Sequence, residues 1–212
     1  MRAGKQELLL KTGEELFRRQ GYKEVSVADI SRAAGLGTGS FYSYFSSKQD
    51  FYDQVLDGIE ARGIKEAERL LAGLSSSLHK LKALYRFSAL AVRRNPILLG
   101  VLTGAKKYMY PGQQARRLRR DTLRGHFERR LGEILREGRS RGEFRAARYH
   151  NPQKMILAVY EAMLRGLEAG ESEDLLEDLL LLVERGFIRR IRLRRLVERP
   201  ERGEPRTRPL SG

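Results

Sequence analysis

Apolar residues recur at every third or fourth position along almost the whole chain of 212 residues, the spacing that lines one face of an α-helix. Alternating apolar and polar runs, with Asn-Gly or Asp-Gly turns between them, are missing, so the pattern predicts an all-α fold. A first helix is expected from about Lys5 to Gln20, with Leu9, Leu16 and Phe17 on its stripe and Gly21 as its left-handed stop. Ser26 opens a short helix with Asp29 three residues on, a capping-box pairing in which hydroxyl and carboxylate satisfy free backbone N–H groups. Its expected inward face is Val27, Ile30, Ala33 and Ala34.

Gly35-Leu36-Gly37 halts that helix, and another, from about Thr38 to Phe45, is expected to start almost at once. This is the spacing of a helix-turn-helix. Small Ala33 and Ala34 let the two helices approach, Gly35 opens the turn, and Leu36 plugs the angle between them. The second helix is expected to bury Phe41 and Phe45 and to offer Thr38, Gly39, Ser40, Tyr42 and Tyr44 outward, a face that is polar, aromatic and uncharged. Ser47 with Asp50 repeats the capping signal and puts Lys48 in a helical first turn, beside N–H groups that can themselves bind a phosphate. Phe51, Val55, Leu56 and Ile59 carry this helix on toward Leu71. Further helices are expected over about 75–93, 96–109, 112–138, 152–169 and 173–196, divided by Asn95-Pro96, Pro111-Gly112, Arg141-Gly142 and Asn151-Pro152. The organisation is then a three-helix head over residues 1–50, a larger bundle over 51–197 that brings the total to about nine helices, and a basic coil over 198–212.

Composition narrows the chemistry. The chain has no cysteine, which removes thiol catalysis, disulfides and thiolate metal sites and fits a reducing cytoplasm. No signal peptide is visible, and apolar runs such as Leu179 to Val183 are far below the roughly 20 residues of a membrane span. A net charge of +15 permits polyanionic partners without choosing between nucleic acid and an acidic membrane. Only +2 of it falls on residues 1–50, against +6 on 51–184 and +7 on 185–212, so a DNA reading rests on the local pattern and not on global charge. His79, His126 and His150 are scattered, and no phosphate loop, serine elbow or paired carboxylates appear, so no enzyme, metal or cofactor is expected.

The stretch Val25 to Phe51, VSVADISRAAGLGTGSFYSYFSSKQDF, closely resembles the DNA-binding signature of the TetR family of repressors. Ser26, Ile30, Ala34-Gly35, the Gly-Ser-Phe-Tyr run at 39–42, Tyr44, Phe45, Lys48 and Phe51 match without gaps, and Leu16-Phe17 and Gly21-Tyr22 fit upstream. Gly13 departs from the alanine common there, and on helix propensity alone costs about 1 kcal/mol. The resemblance implies that Thr38, Gly39, Ser40, Tyr42 and Tyr44 face the major groove, with Tyr42 and Lys48 chiefly on phosphates and Ser26 and Ala28 at the backbone or groove edge. Hydroxyls reach either phosphates or base edges, and no arginine is present for bidentate guanine contacts, so sequence preference is expected to depend partly on DNA shape. Ordinary packing is the alternative for Tyr42 and Tyr44, and more so for Tyr44.

Over the C-terminal part the likeness rests on Arg-Gly-Glu-Phe-Arg at 141–145, the Asn-Pro start at 151–152 and Gly166-Leu167. It implies an effector pocket between the middle helices and a dimer interface from the last two. Candidate pocket walls are Leu84, Phe87, Leu90, Leu98, Leu102, Tyr108, Met109, Tyr110, Phe127 and Tyr160, an apolar set suited to a flat or acyl ligand, with core packing as the alternative. Arg116, Arg117, Arg119, Arg120, Arg124, Arg129 and Arg130 would hold an acidic ligand group, but Asp121, Glu128 and Glu133 are interleaved with them as on a solvated helix face. Two stripes, Met155, Ile156, Val159, Met163 and Leu167, and Leu175, Leu176, Leu179, Leu180, Val183 and Phe187, are wide enough to serve both the monomer's core and a two-fold interface. The function implied is a ligand-responsive repressor that binds a palindromic double-stranded operator as a homodimer, with no membrane partner, and is released by a small, largely apolar effector. The alternatives are an activator of the same family, a polyanion or membrane-surface binder acting through the basic tail, and a helical enzyme working within residues 75–170.

Overall fold

The computed structural model describes residues 2–111, 123–144, 150–170 and 174–187. Among these residues the chain forms nine α-helices and no strand: α1 (Arg2–Gln20), α2 (Val27–Ala33), α3 (Thr38–Tyr42), α4 (Lys48–Ala72), α5 (Ser77–Arg94), α6 (Pro96–Thr103), α7 (Leu123–Ser140), α8 (Pro152–Glu168) and α9 (Asp174–Phe187). A single 3-10 turn, Lys106–Tyr108, follows α6. The expected all-α architecture is therefore the observed one. The basic coil 198–212 lies outside the described residues.

Two apolar cores share residues of α4 and of α6. The first gathers Leu9 and Phe17 of α1, Ile30 of α2, Phe41 of α3 and Phe51, Tyr52, Val55 and Leu56 of α4, all at most 2% exposed. The second packs α5, α7, α8 and α9 around Leu131, Ile134, Ile156 and Leu164, and takes Leu71 from the far end of α4. An unbroken α4 thus carries one end in each core. Three residues of the first core come from beyond position 95: Ile97, Val101 and Tyr108.

Those three residues overturn the expected single helix over 96–109. α6 stops at Thr103 because Gly104 turns left-handed, with φ of 86°. The chain then doubles back, and the Tyr108 ring lies so close over Gly100 that a Cβ there would fall 2.2 Å from it. The turn docks on the end of α1. Gly21, at φ of 89°, admits the Lys107 carbonyl, which accepts the Tyr22 N–H at 2.8 Å, and the buried Tyr52 hydroxyl donates to the Tyr108 carbonyl at 2.8 Å. Tyr110 donates to Asp53 at 2.7 Å.

Smaller corrections follow from local hydrogen bonding and helix phase. α3 ends at Tyr42 instead of Phe45, with Ser43 as its cap and its hydroxyl on the Gly39 carbonyl at 3.0 Å. In α2 the inward position is Ser31, 2% exposed, where Ala33 was expected, because Ile30, Ser31 and Ala34 share one side of a 3.6-residue helix and Ala33 faces solvent. Of the helix expected over 112–138, the part 112–122 lies outside the described residues.

Gly13 has a packing reason that propensity alone does not show. A Cβ built on it would sit 2.3 Å from the Phe51 ring, which is itself fully buried among Phe17, Phe41 and Phe45. Alanine would gain about 1 kcal/mol of helix propensity but overpack this aromatic centre by about 1–3 kcal/mol. Gly13→Ala is accordingly expected to lower the urea midpoint of unfolding, and a rise would contradict this packing.

Candidate nucleic-acid interface and apolar cavity

Caps hold the recognition segment from both sides. Ser26 accepts the Asp29 N–H at 3.1 Å while the Asp29 carboxylate accepts the Ser26 N–H at 3.0 Å, a reciprocal capping box that fixes the start of α2. Gly35, at φ of 67°, makes the turn, and the Leu36 N–H reaches back to the Ser31 carbonyl at 2.8 Å. Ser47 caps α4 through the Asp50 N–H, and the Asp50 carboxylate accepts the Ser46 N–H at 2.8 Å. Between these anchors Phe41 and Phe45 sink into the head, their rings 5.1 and 4.7 Å from Phe51.

What remains outward matches much of the expected face. Thr38 and Gly39 are exposed, Ser40 is half-buried, and Tyr42 is the most open aromatic of the head at 59%. Its ring meets Phe41 edge-on at 5.4 Å, which fixes its base while leaving its hydroxyl end free of the core. Tyr44 is half-buried against the first core, so it combines packing with access. Ser26 and Ala28 are exposed at the start of α2. Lys48 is held and not loose: its ammonium lies 4.3 Å over the Tyr22 ring and donates to the Lys23 carbonyl at 3.4 Å. Burial there lowers the Lys48 pKa, partly offset by the Glu24 and Asp29 carboxylates. That seat for Lys48 was not foreseen in the sequence, where Tyr22 figured only in the Gly21-Tyr22 match to the family pattern. Ser43, also exposed beside this face, was missed because α3 was expected to run through it.

A second feature lies inside the body. A narrow cavity opens between α4, α5, α6, α7 and α8, with about 620 Å³ of unfilled space including its mouth. Most of that space is too narrow to hold water, so it is a slot. Five of the ten expected wall residues line it: Leu84, Phe87, Leu102, Phe127 and Tyr160. The other five do not. Leu90 is 44% exposed, Leu98 is buried in the second core away from the slot, and Tyr108, Met109 and Tyr110 belong with the head. Gly63 and Ala67 of α4 line it as well, small residues that carry no signal of a cavity in a sequence. At its rim Arg124 pairs with Glu161 at 2.7 Å, and His126 and Arg130 share one oxygen of Glu68 at 2.9 and 2.8 Å. Arg116, Arg117, Arg119 and Arg120 lie outside the described residues.

The apolar stripes of α8 and α9 divide. Ile156, Met163 and Leu179 are buried in the chain's own core and Leu167 packs partly against it, whereas Met155 and Val159 stay 49% and 42% exposed. Leu181 and Leu182, outside the expected stripe, are open too. The side chains of Leu176, Leu180, Val183 and Phe187 lie outside the described residues.

Residues 9–55 match the family model for bacterial regulatory proteins of the tetR family. Over 161 residues the chain is 30% identical to the transcriptional regulator AcuR of Cereibacter sphaeroides, a match that spans 72% of this chain and 69% of that protein. The chain belongs to the TetR family of transcriptional regulators. This TetR-family chain is also 26% identical over 145 residues to the HTH-type transcriptional repressor KstR2 of Rhodococcus jostii, covering 68% and 70% of the two. Its fold recurs in the transcriptional regulator FadR from Bacillus subtilis, solved in complex with stearoyl-CoA, at a TM-score of 0.69 and 18% identity over 85% of this chain and 98% of that one. The helix-turn-helix of α2 and α3 is thus the DNA-binding element of a transcription regulator.

The two capping carboxylates give the head a defined acid sensitivity. Hydrogen bonds from Ser26 hold Asp29 below its usual value of 3.8, and hydrogen bonds from Gln54 and Ser46 do the same for Asp50. A carboxylate whose pKa is lower folded than unfolded contributes stability above about pH 4, which is lost as pH falls through the folded value. The melting temperature is expected to drop below pH 4, and an Asp29→Asn/Asp50→Asn variant to melt lower at pH 7 and to show a shallower acid slope; parallel slopes would contradict the capping roles.

Proposed function

We propose that two copies of this chain bind a palindromic operator as a homodimer, repress transcription there, and are released when a small, largely apolar molecule fills the cavity. One observation carries the reading: α4 begins beside the DNA-facing surface at Ser47 and Lys48 and supplies the cavity wall at Gly63 and Ala67, about 22–29 Å along the same helix. A molecule entering the slot therefore pushes on the rod that carries the reading head. Residues 1–50 act as the DNA-reading unit and 51–197 as the effector and dimer unit.

In this reading Tyr42 and Lys48 bind phosphates, while Thr38, Gly39, Ser40 and Tyr44 enter the major groove and Ser26 and Ala28 border it. Exposed Met155, Val159, Leu181 and Leu182 favour pairing of α8 and α9 with a second copy, since such a patch is unusual on a monomer's surface. Pairing of that kind sets two recognition helices roughly 34–36 Å apart, one turn of the duplex. Repression rather than activation is favoured by the relative KstR2, which is a repressor. A ligand preferring the released form by about 2–4 kcal/mol would lower operator affinity about 30- to 1,000-fold.

The interface is tested by mobility shift on a selected palindrome. Tyr42→Ala and Lys48→Ala are each expected to weaken binding about tenfold, with the salt slope reduced by roughly one phosphate contact per half-site, and removal of 198–212 to leave palindrome recognition intact. Unchanged affinity in both point variants, or loss of recognition with the tail, would sink the reading.

A further inference from the structure

One buried phenol lines the cavity and a second stands beside it, both short of hydrogen-bond partners. Tyr160 lines the slot at 4% exposure, and Tyr85 stands beside it, fully buried, with the ring centroids 5.4 Å apart at 70°. Phe127 stacks on Tyr160 at 5.1 Å and 13°, and meets Tyr85 edge-on at 5.4 Å, so the three rings fix one another. Neither phenol oxygen has a partner in full hydrogen-bond geometry, and Ser88 is a polar group that acts on the Tyr160 hydroxyl. Ser88, near the Tyr160 hydroxyl, gives its own proton to the Tyr85 carbonyl at 2.8 Å. Phenylalanine would fill the same shape without stripping a hydroxyl of water, so a cavity-lining phenol this short of partners points to one that arrives from outside.

The rim argues against a charged guest. Of the described residues lining the slot, the strong cation is Arg124, which is committed to Glu161 at 2.7 Å and lies near Glu128 at 3.8 Å. His126 is engaged by Glu68, which Arg130 also holds. An anionic headgroup would have to displace a carboxylate of the chain itself, and a cationic one would meet carboxylates already neutralised. The narrow space favours a slender molecule over a bulky one.

We infer that the cavity selects an uncharged, thin, mostly apolar molecule bearing a carbonyl oxygen, to which the Tyr160 hydroxyl donates a hydrogen bond. This rests on the cavity being the effector site, and it adds the chemical class of the effector. The atoms needed are a ketone, ester, lactone or quinone oxygen on a flat ring or single alkyl chain.

Calorimetric titration of the full chain with acetophenone, ethylbenzene, benzoate and octanoyl-CoA tests it without DNA. Acetophenone is expected to bind about tenfold tighter than ethylbenzene, the worth of one hydrogen bond, while benzoate and octanoyl-CoA bind more weakly than either. Tyr160→Phe, which removes one atom and keeps the ring, is expected to equalise acetophenone and ethylbenzene while leaving ethylbenzene unchanged. The inference is overturned if an anion binds as tightly as the ketone, if Tyr160→Phe keeps the ketone preference, or if none of the four binds. A ketone that binds through Tyr160 but leaves the operator complex intact would uphold the ligand class and contradict effector release instead.

Discussion

The position of the head depends on a backbone contact between parts of the chain almost ninety residues apart. The Lys106–Tyr108 turn lays its carbonyls against the end of α1 and against Tyr52 of α4, so one short segment grips both helices that frame α2 and α3. Glycine at position 21 is required for this approach, since a Cβ there would fall 2.6 Å from the Lys107 carbonyl. Loss of these bonds would remove two contacts that tie the turn to the head, one of them from the fully buried Tyr52. The head is therefore seated on the body, and not merely strung from α4.

In the proposed function, seating of this kind would convert a local event in the cavity into a displacement of the head. Leu102, on α6, lines the slot one turn of chain before the docking residues, and Gly63 and Ala67 line it on α4. Both routes from the slot to the head run through packed residues, the condition under which a small shift would be passed on instead of absorbed. The aromatic centre of Phe17, Phe41, Phe45 and Phe51 keeps α3 fixed relative to α4, so α3 follows wherever α4 points.

The head was largely legible in the sequence and the body only in outline. Caps at Ser26 and Ser47, the Gly35 turn and the paired phenylalanines each depend on nearest neighbours, and local chemistry of that kind can be read from a string. The fold-back after Gly104 was not legible, because an apolar-aromatic run such as Tyr108-Met109-Tyr110 fits either of two cores and only tertiary contact decides which. The cavity was half legible for a related reason: Leu84, Phe87, Leu102, Phe127 and Tyr160 were found by being large and apolar, whereas Gly63 and Ala67 make room by being small. In α2, Ser31 was passed over for Ala33 because a hydroxyl reads as exposed, although helix phase puts it inward and leaves its oxygen buried without a partner. Gly13 read as a helix defect until its neighbour Phe51 was in view.

The most direct measurement is the separation of the two heads in solution. The chain has no cysteine, so Lys11→Cys on the exposed face of α1 takes one spin label per copy, and pulsed dipolar spectroscopy reads the distance between them. The account predicts a single narrow distribution when operator is bound, and a shift of several ångströms when a ligand that fills the slot releases it. An identical distribution before and after such release, or no coupling between copies at all, would contradict it.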